Sequence, residues 1–299
     1  IPFYELKTGK FYRRLNPLEF LKIILGFFQS FFYLRQIKPA LIFSFGGYLA
    51  VPVVIVGWLL LIPVLTHEQT VTAGWANKAI SPFVKKIFLT HQSSLANYPK
   101  DKSIVTGLPI RPELLQAIPA KKNLIYITCG KQGSHIINTN LFPLIPKLLP
   151  DYQIIHQTGV STLNSDQERA RRLKASLPKS LKSHYRYQPY FFAADATRYL
   201  KQAALVVSRA GAHITYELLA LRKKSVLIPI PWVSHNEQLQ NAALLEKSHL
   251  AIILPESDLT PSSLEHALHQ ALVLKPLPTS TPILDATQRI LKQVHLYLP

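Results

Sequence analysis

The chain has 299 residues, 48% of them hydrophobic and only 17% charged, which excludes an intrinsically disordered chain and leaves room for two domains of ordinary size. Its 34 Lys and Arg outnumber 16 Asp and Glu for a formal charge of +18, so a polyanionic partner is implied: nucleic acid, an anionic membrane face or phosphorylated substrates. The basic residues are scattered as pairs such as Lys85-Lys86 and Lys223-Lys224, which argues against a dedicated nucleic-acid surface, and the single Cys129 excludes an internal disulfide framework.

The chain opens at Ile1-Pro2 and contains no methionine, which reads as the interior of a longer gene product. Asn16-Pro17-Leu18-Glu19 predicts a helix start, with Asn16 as cap and Pro17 at the first position. The helix carries two apolar stripes. One runs through Leu21, Ile24, Leu25, Phe28 and Phe32, the other through Phe20, Ile23, Phe27, Phe31 and Leu34. A soluble helix buries one stripe. The second, Phe20 to Leu34, is assigned to an anionic membrane surface, because residues 1–38 also hold seven Lys or Arg against two Glu, and ten aromatics. The competing reading is a helix buried between layers or in an oligomer. The 17 apolar residues Leu49–Leu65, broken by Pro52, Gly57 and Pro63, read as a buried helix followed by a strand, not as a membrane span.

Strand-like runs then alternate with helical patterns: 40–45, 62–66, 86–89, 103–106, 123–128, 152–156, 203–207, 225–230 and 250–254. Apolar runs separated by helices predict parallel sheets and the α/β class. Glycine-rich turns at Phe45-Gly-Gly-Tyr48 and Cys129-Gly-Lys-Gln-Gly133 lie in different halves and suggest two Rossmann-like units, with a seam at Gly107–Pro112. Thr279–Pro282 reads as a linker to a final helix, Ile283–Tyr297.

The most informative stretch is Ser208-Arg-Ala-Gly-Ala-His-Ile-Thr-Tyr-Glu217. An apolar strand turns through small residues into a helix, leaving free N–H groups where the helix dipole favours an anion. Gly211 and Ala212 let a phosphate approach, and Glu217, one turn on, is placed to accept hydrogen bonds from a diol such as ribose. An ordinary strand-to-helix junction would carry the same glycine; the acidic residue six positions later favours a nucleotide site.

In order and spacing, Phe45-Gly-Gly-Tyr48, Pro63-Val-Leu-Thr-His-Glu-Gln69, Thr106-Gly-Leu-Pro-Ile-Arg111, Cys129–Gly133, Ile155-His-Gln-Thr-Gly159, Ser208–Ala212 with Glu217, and Asn236-Glu-Gln-Leu-Gln-Asn241 resemble the blocks of the MurG family, from about residue 40 to 275. The resemblance implies a GT-B fold of class α/β: two Rossmann-like domains facing across a cleft, the first, 1–113, lacking its opening strand and glycine loop, the second, 114–282, binding UDP-GlcNAc, and a helix, 283–299, crossing back. It implies an inverting transfer of GlcNAc from UDP-GlcNAc to the 4-hydroxyl of undecaprenyl-diphospho-MurNAc-pentapeptide, on the cytoplasmic face of the plasma membrane as a peripheral enzyme. No cofactor or metal is implied: His67-Glu68-Gln69 lacks the second histidine of a zinc helix, and UDP-GlcNAc enters as substrate.

Residue by residue, the resemblance implies a diphosphate over Gly211, Ala212 and His213, with Arg209 either on phosphate or as an anchor. Glu217 would take the ribose, Gln238 and Asn241 the sugar hydroxyls, and Arg111 the charge on leaving UDP. Lys131, where the family usually has serine, either serves the diphosphate or points to water. Ile214 stands where a hydroxyl residue is common, with Thr215 next. Gly46, Gly47, Tyr48, His67, Glu68, Gln69 and Thr70 would line the acceptor cleft, Thr70 replacing the usual asparagine. The family's base belongs to the loop expected before this chain, so none is nominated, and His156 reads as structural. Another GT-B transferase acting on a membrane lipid, or a non-catalytic membrane or nucleotide-binding module, would share these features.

Overall fold

The computed structural model describes residues 2–9, 17–233, 236–278 and 282–298; the expected cap Asn16 and residues 279–281 of the expected linker lie outside them. Contacts divide the chain into one unit of Ile1–Pro109 with Ile283–Pro299, and a second of Ile110–Pro282, so Arg111 belongs to the second unit.

The first unit runs α1 (Pro17–Ile37), β1 (Ile42–Ser44), α2 (Ala50–Leu59), β2 (Val64–Glu68), α3 (Trp75–Ile80), β3 (Lys86–Leu89) and β4 (Ser103–Val105). Its four strands are parallel in the order β1-β2-β3-β4. Alternation sends Ile42, Val64, Ile87 and Leu89 to the face covered by α2 and Leu34. Leu65 and Phe88 go to the opposite face. The expected strand 62–66 in fact runs on to Glu68. Apolar patterning ended it at Thr66, whereas hydrogen bonding carries two polar residues into the interior.

Helix α1 forms as expected, but its stripes are used differently. Residues 2–9 lie along it: the Lys7 N–H donates to Gln29 Oε1 at 2.9 Å, the Tyr33 hydroxyl to the Glu5 carbonyl at 3.1 Å, and a Cβ on Gly26 would meet Thr8 at 2.6 Å. Leu34 is 6% exposed within the core, with Phe27 half-buried against the same cluster. This corrects the membrane assignment of those two residues, because that flank of α1 lies against α2 and the sheet. The exposed apolar face is instead Leu21, Leu25, Phe28 and Phe32, joined by Phe20 and Phe31. Helix α2 is likewise buried on one side only; Trp58 and Leu59, at its end, are exposed.

The second unit runs β5 (Leu124–Thr128), α4 (His135–Leu141), α5 (Ile145–Leu148), β6 (Gln153–Gln157), α6 (Asp166–Ser176), β7 (Tyr185–Gln188), α7 (Ala193–Gln202), β8 (Leu205–Ser208), α8 (Ala212–Ala220), β9 (Lys224–Leu227), α9 (Glu237–Lys247), β10 (Ala251–Ile253) and α10 (Pro261–Val273). Its six parallel strands order as β10-β9-β8-β5-β6-β7, the doubly wound order of a Rossmann unit. Strand β7 has no counterpart among the expected runs. It is an edge strand in which only Tyr185 is buried, so it leaves no apolar run to read. The chain then returns to the first unit through α11 (Ala286–Val294), whose Ile290 joins Leu65 and Phe88 in one cluster.

Candidate functional site

In a doubly wound sheet the strand order reverses at one point, and ligands bind beyond the strand ends there. Here β5 and β8 flank that point, with Thr128 opposite Ser208. The two turns singled out in the sequence, 129–133 and 209–211, therefore leave adjacent strands side by side. Gly211 caps α8 in an extended conformation, φ −66°, with no side-chain cap, and a Cβ there would meet no atom within 4 Å. Its value is thus not a special backbone angle but the open space above it, where first-turn N–H groups face outward. His213 is exposed and Ala212 half-exposed beside it. Thr215 is buried and its hydroxyl donates to the Gly211 and Ala212 carbonyls at 2.9 and 3.0 Å, so it is spent on its own helix.

Glu217 lies at the next turn, its side chain 11% exposed, and Arg111 Nη2 donates to its Oε1 at 3.0 Å. Arg111 Nη1 donates to the Ala193 carbonyl at 3.2 Å. The arginine expected on the leaving phosphate is therefore committed to Glu217, and it draws the first turn of α7, with the 79% exposed Phe192, beside that carboxylate. Sequence reasoning missed Phe192, an exposed aromatic just ahead of a helix. Arg209 resolves as an anchor: it donates to Ser134 Oγ at 2.8 Å and the Ile228 carbonyl at 3.2 Å, and pairs with Glu256 at 2.5 Å. Asn241 is also interior, donating to the Ala210 carbonyl at 3.1 Å, which braces the turn and corrects its expected sugar contact. Gln238 accepts through Oε1 from the Ala210 and Ile230 N–H groups at 3.2 and 3.0 Å.

The 129–133 turn rests on β6. Gly133 and Gly159 have φ of 80° and 100°, and a Cβ on either would fall 2.3 Å from the other turn's carbonyl oxygen, so only glycine fits both places. Gln157, unassigned in the sequence, ties this turn to the next: its amide donates to the Gly130 carbonyl at 2.8 Å and its oxygen accepts from Phe191 N–H at 3.0 Å. Lys131 is exposed. Beneath lies a chain of buried contacts. Asn138 donates to Asp166 at 2.8 Å and to the Thr158 carbonyl at 2.8 Å, so its oxygen receives His156 Nε2–H at 3.0 Å, leaving His156 Nδ1 to accept from the Tyr185 hydroxyl at 3.1 Å. His156 is thus interior, and burial holds it down to about 3 from 6.5. The unfolded state takes up its proton first, so stability falls as pH drops below 6.5 toward 3, by about 1.4 kcal/mol per unit from this group. Acid denaturation should show this slope, and His156→Gln should flatten it.

At the strand ends of the first unit, the side chains separate. His67 is fully buried, with Nε2 3.0 Å from the Gly107 carbonyl. Glu68 is 4% exposed and accepts from Thr70 N–H and hydroxyl (3.3 and 3.1 Å), Gly74 N–H (2.9 Å), Asn77 (3.1 Å) and the Tyr98 hydroxyl (2.6 Å). Burial first, then the Glu68 carboxylate, raises the Tyr98 phenol far above its ordinary range. This corrects the expected cleft roles of His67 and Glu68: extension of β2 takes them inside. Gln69 and Thr70 are half-exposed, while Tyr48 and Gly47 reach solvent and Gly46 abuts Asn77. Among the described residues, no three His, Cys, Asp or Glu are grouped to hold a metal ion.

Comparison with known proteins adds identity to this geometry. Residues 124–284 match the glycosyltransferase family 28 C-terminal domain, and residues 1–89 its N-terminal domain. An enzyme of Clostridium kluyveri named UDP-N-acetylglucosamine--N-acetylmuramyl-(pentapeptide) pyrophosphoryl-undecaprenol N-acetylglucosamine transferase is 32% identical, over 99% of this chain and 86% of its own length. One of the same name, numbered 2, from Bacillus cereus is 35% identical over 88% and 75%.

The chain belongs to this family of glycosyltransferases.

The crystal structure of Acinetobacter baumannii MurG superposes with a TM-score of 0.65 at 25% identity, covering 99% of this chain and 85% of that one. A UDP-GlcNAc 2-epimerase from Neisseria meningitidis, bound to UDP-GlcNAc, shares the fold at a TM-score of 0.61 and 16% identity, covering 92% and 82%. The fold is α/β of the GT-B type, as the motif series implied.

Proposed function

We propose that the chain transfers GlcNAc from UDP-GlcNAc to the 4-hydroxyl of a lipid-linked N-acetylmuramoyl-pentapeptide diphosphate, with inversion. The observation that carries this reading is the open N-terminus of α8 at the switch point, with Glu217 fixed by Arg111 one turn inside it. The acceptor oxygen forms its bond to the anomeric carbon as the bond to the diphosphate oxygen breaks. UDP leaves with the electron pair, and the hydroxyl proton passes to a base. Helix N–H groups at Gly211–His213 offset the charge growing on UDP. The Glu217 carboxylate accepts the ribose hydroxyls, and Arg111 positions it. Phe192 and the start of α7 offer an apolar plane and backbone N–H groups to the uracil ring of UDP. Gln238, its oxygen held by the backbone, turns its amide to a sugar hydroxyl. Lys131 reaches solvent near the diphosphate.

The test is UDP release from UDP-GlcNAc with and without a water-soluble muramoyl-pentapeptide diphosphate. Release should require this acceptor and vanish with a 4-deoxy version. Acceptor-independent release would point to hydrolysis or epimerisation, and turnover with a diacylglycerol acceptor would point to another glycolipid.

Attachment to the cytoplasmic membrane face rests on α1, long and apolar enough by length and composition to cross a bilayer, with a mean hydropathy of 1.3 in its most apolar window. It lies along the first unit, with Phe28 61% exposed, so a surface-bound orientation fits its contacts. Phe28→Ser with Phe32→Ser should release the protein from anionic vesicles while leaving UDP binding intact. Phe27→Ser should instead destabilise the first unit. Vesicle sedimentation and thermal melting distinguish the two.

A further inference from the structure

Strand β6 ends at Gln157, with Thr128 of β5 and Gln188 of β7 as its register partners. Three loops leave those strand ends together. Gln157 is 3% exposed and bonds to two of them. Its amide donates to the Gly130 carbonyl at 2.8 Å and its oxygen accepts from Phe191 N–H at 3.0 Å, so both ends of one side chain are engaged on backbone. The first bond falls in the turn beside the switch point. There Gly130 has φ 74° and a Cβ would meet no atom within 4 Å, so the turn is tied inward and open outward. The second falls one residue before the exposed Phe192 that leads into α7.

Other bonds fasten the far end of the 129–133 turn: Val160 N–H donates to the Lys131 carbonyl at 2.9 Å, and Gly133 packs on Gly159. At the near end the Gly130 carbonyl otherwise receives only the longer bond from Gly133 N–H, at 3.3 Å. The start of α7 is held from its other side by Arg111, through the Ala193 carbonyl at 3.2 Å, and Arg111 in turn bonds Glu217 at 3.0 Å. A line of contacts therefore runs from Glu217 through Arg111, the start of α7 and Gln157 to the 129–133 turn. It passes the groups proposed above for ribose and uracil and ends at the turn that carries Lys131. A side-chain amide donates and accepts at once whatever the pH, which a carboxylate does not.

We infer that Gln157 is a positioning residue for the donor: without touching the nucleotide, it fixes the segment that receives uracil against the turn that meets the diphosphate. The inference rests on the donor placement proposed above.

The experiment compares Kd for uridine and for UDP, from NMR titration, and KM for UDP-GlcNAc in the unsubstituted protein, Gln157→Glu and Gln157→Met. Gln157→Glu keeps an oxygen for Phe191 N–H but, when ionised, sets its other oxygen against the Gly130 carbonyl. At about pH 8 the UDP Kd and the UDP-GlcNAc KM should rise about tenfold, as for one lost hydrogen bond, while uridine stays within about twofold. Burial raises the new carboxyl above its ordinary pKa of about 4.3, so lowering the pH toward about 6 protonates it and restores a donor to Gly130. The ratio of variant to unsubstituted KM should fall accordingly. Gln157→Met, neutral and of similar length, removes both bonds, and uridine and UDP should both weaken at every pH. Equal losses for uridine and UDP in Gln157→Glu, constant across pH, would overturn the positioning role and leave Gln157 a brace of stability, read by thermal melting. If Gln157→Glu does not fold, normal affinity for both nucleotides in folded Gln157→Met overturns the role by itself. Failure of the donor placement shows separately, as UDP binding unaltered by Glu217→Ala. Absence of acceptor-dependent UDP release in the unsubstituted protein would sink the transfer reaction and leave the comparison of uridine with UDP readable.

Discussion

Glu217→Ala is expected to weaken UDP and UDP-GlcNAc binding together, by about 1.5–3 kcal/mol, or one to two powers of ten in Kd. Two effects combine. The ribose loses a charged acceptor, and Arg111, 3.0 Å away, loses the partner that holds it beside α7. Glu217→Gln should lose less, since an amide still accepts. The contrast is Gln238→Ala, which should weaken UDP-GlcNAc and spare UDP, because its proposed ligand is the sugar. Titration calorimetry with both ligands separates these outcomes; equal losses for Gln238→Ala would remove its sugar-reading role, and an unchanged UDP affinity for Glu217→Ala would move the ribose elsewhere.

A second large effect is expected at Glu68. Its replacement by alanine strands the Tyr98 hydroxyl and the Asn77 amide in the interior and leaves the half-buried Gly74 N–H without its acceptor. Each buried group left without a partner costs about 1–3 kcal/mol, so a total near 3–5 kcal/mol is expected, comparable with breaking a buried ion pair. For a unit of this size that is a fall of more than about 10 °C in melting temperature. Calorimetric scans should show the low-temperature transition moving while a UDP-stabilised transition stays in place. Glu68→Gln, which keeps one acceptor oxygen, should fall between. A melting profile unaffected by Glu68→Ala would show that the network is ornamental to stability.

Much of this protein was legible in residue order alone. Apolar runs alternating with helical periods require parallel sheets, because a strand buried on both faces needs apolar residues at every position. Strands β3, β5 and β8 follow that rule except at one terminal residue each, Lys86, Thr128 and Ser208, and β7 escapes it because only its Tyr185 is buried. The phosphate turn was legible for a similar reason: a strand, a glycine, a helix start and an acidic residue within ten positions are local features, and the helix dipole that gives them meaning is local too. Motif order sufficed to place the chain in its family.

What residue order could not decide was which polar side chains face a ligand and which hold the frame. His67, Glu68, Asn241, Arg209 and Arg111 all have the chemistry of binding residues, and every one of them is tied to partners distant in sequence: Gly107, Tyr98, Ala210, Glu256 and Glu217. The same holds for α1, where two equal stripes in sequence became one buried flank and one exposed face only when α2 and residues 2–9 were laid against it. Sequence fixes what a side chain can donate or accept. Its direction is set by strand length, by neighbouring layers and by which buried groups must be satisfied, and those are properties of the folded chain as a whole.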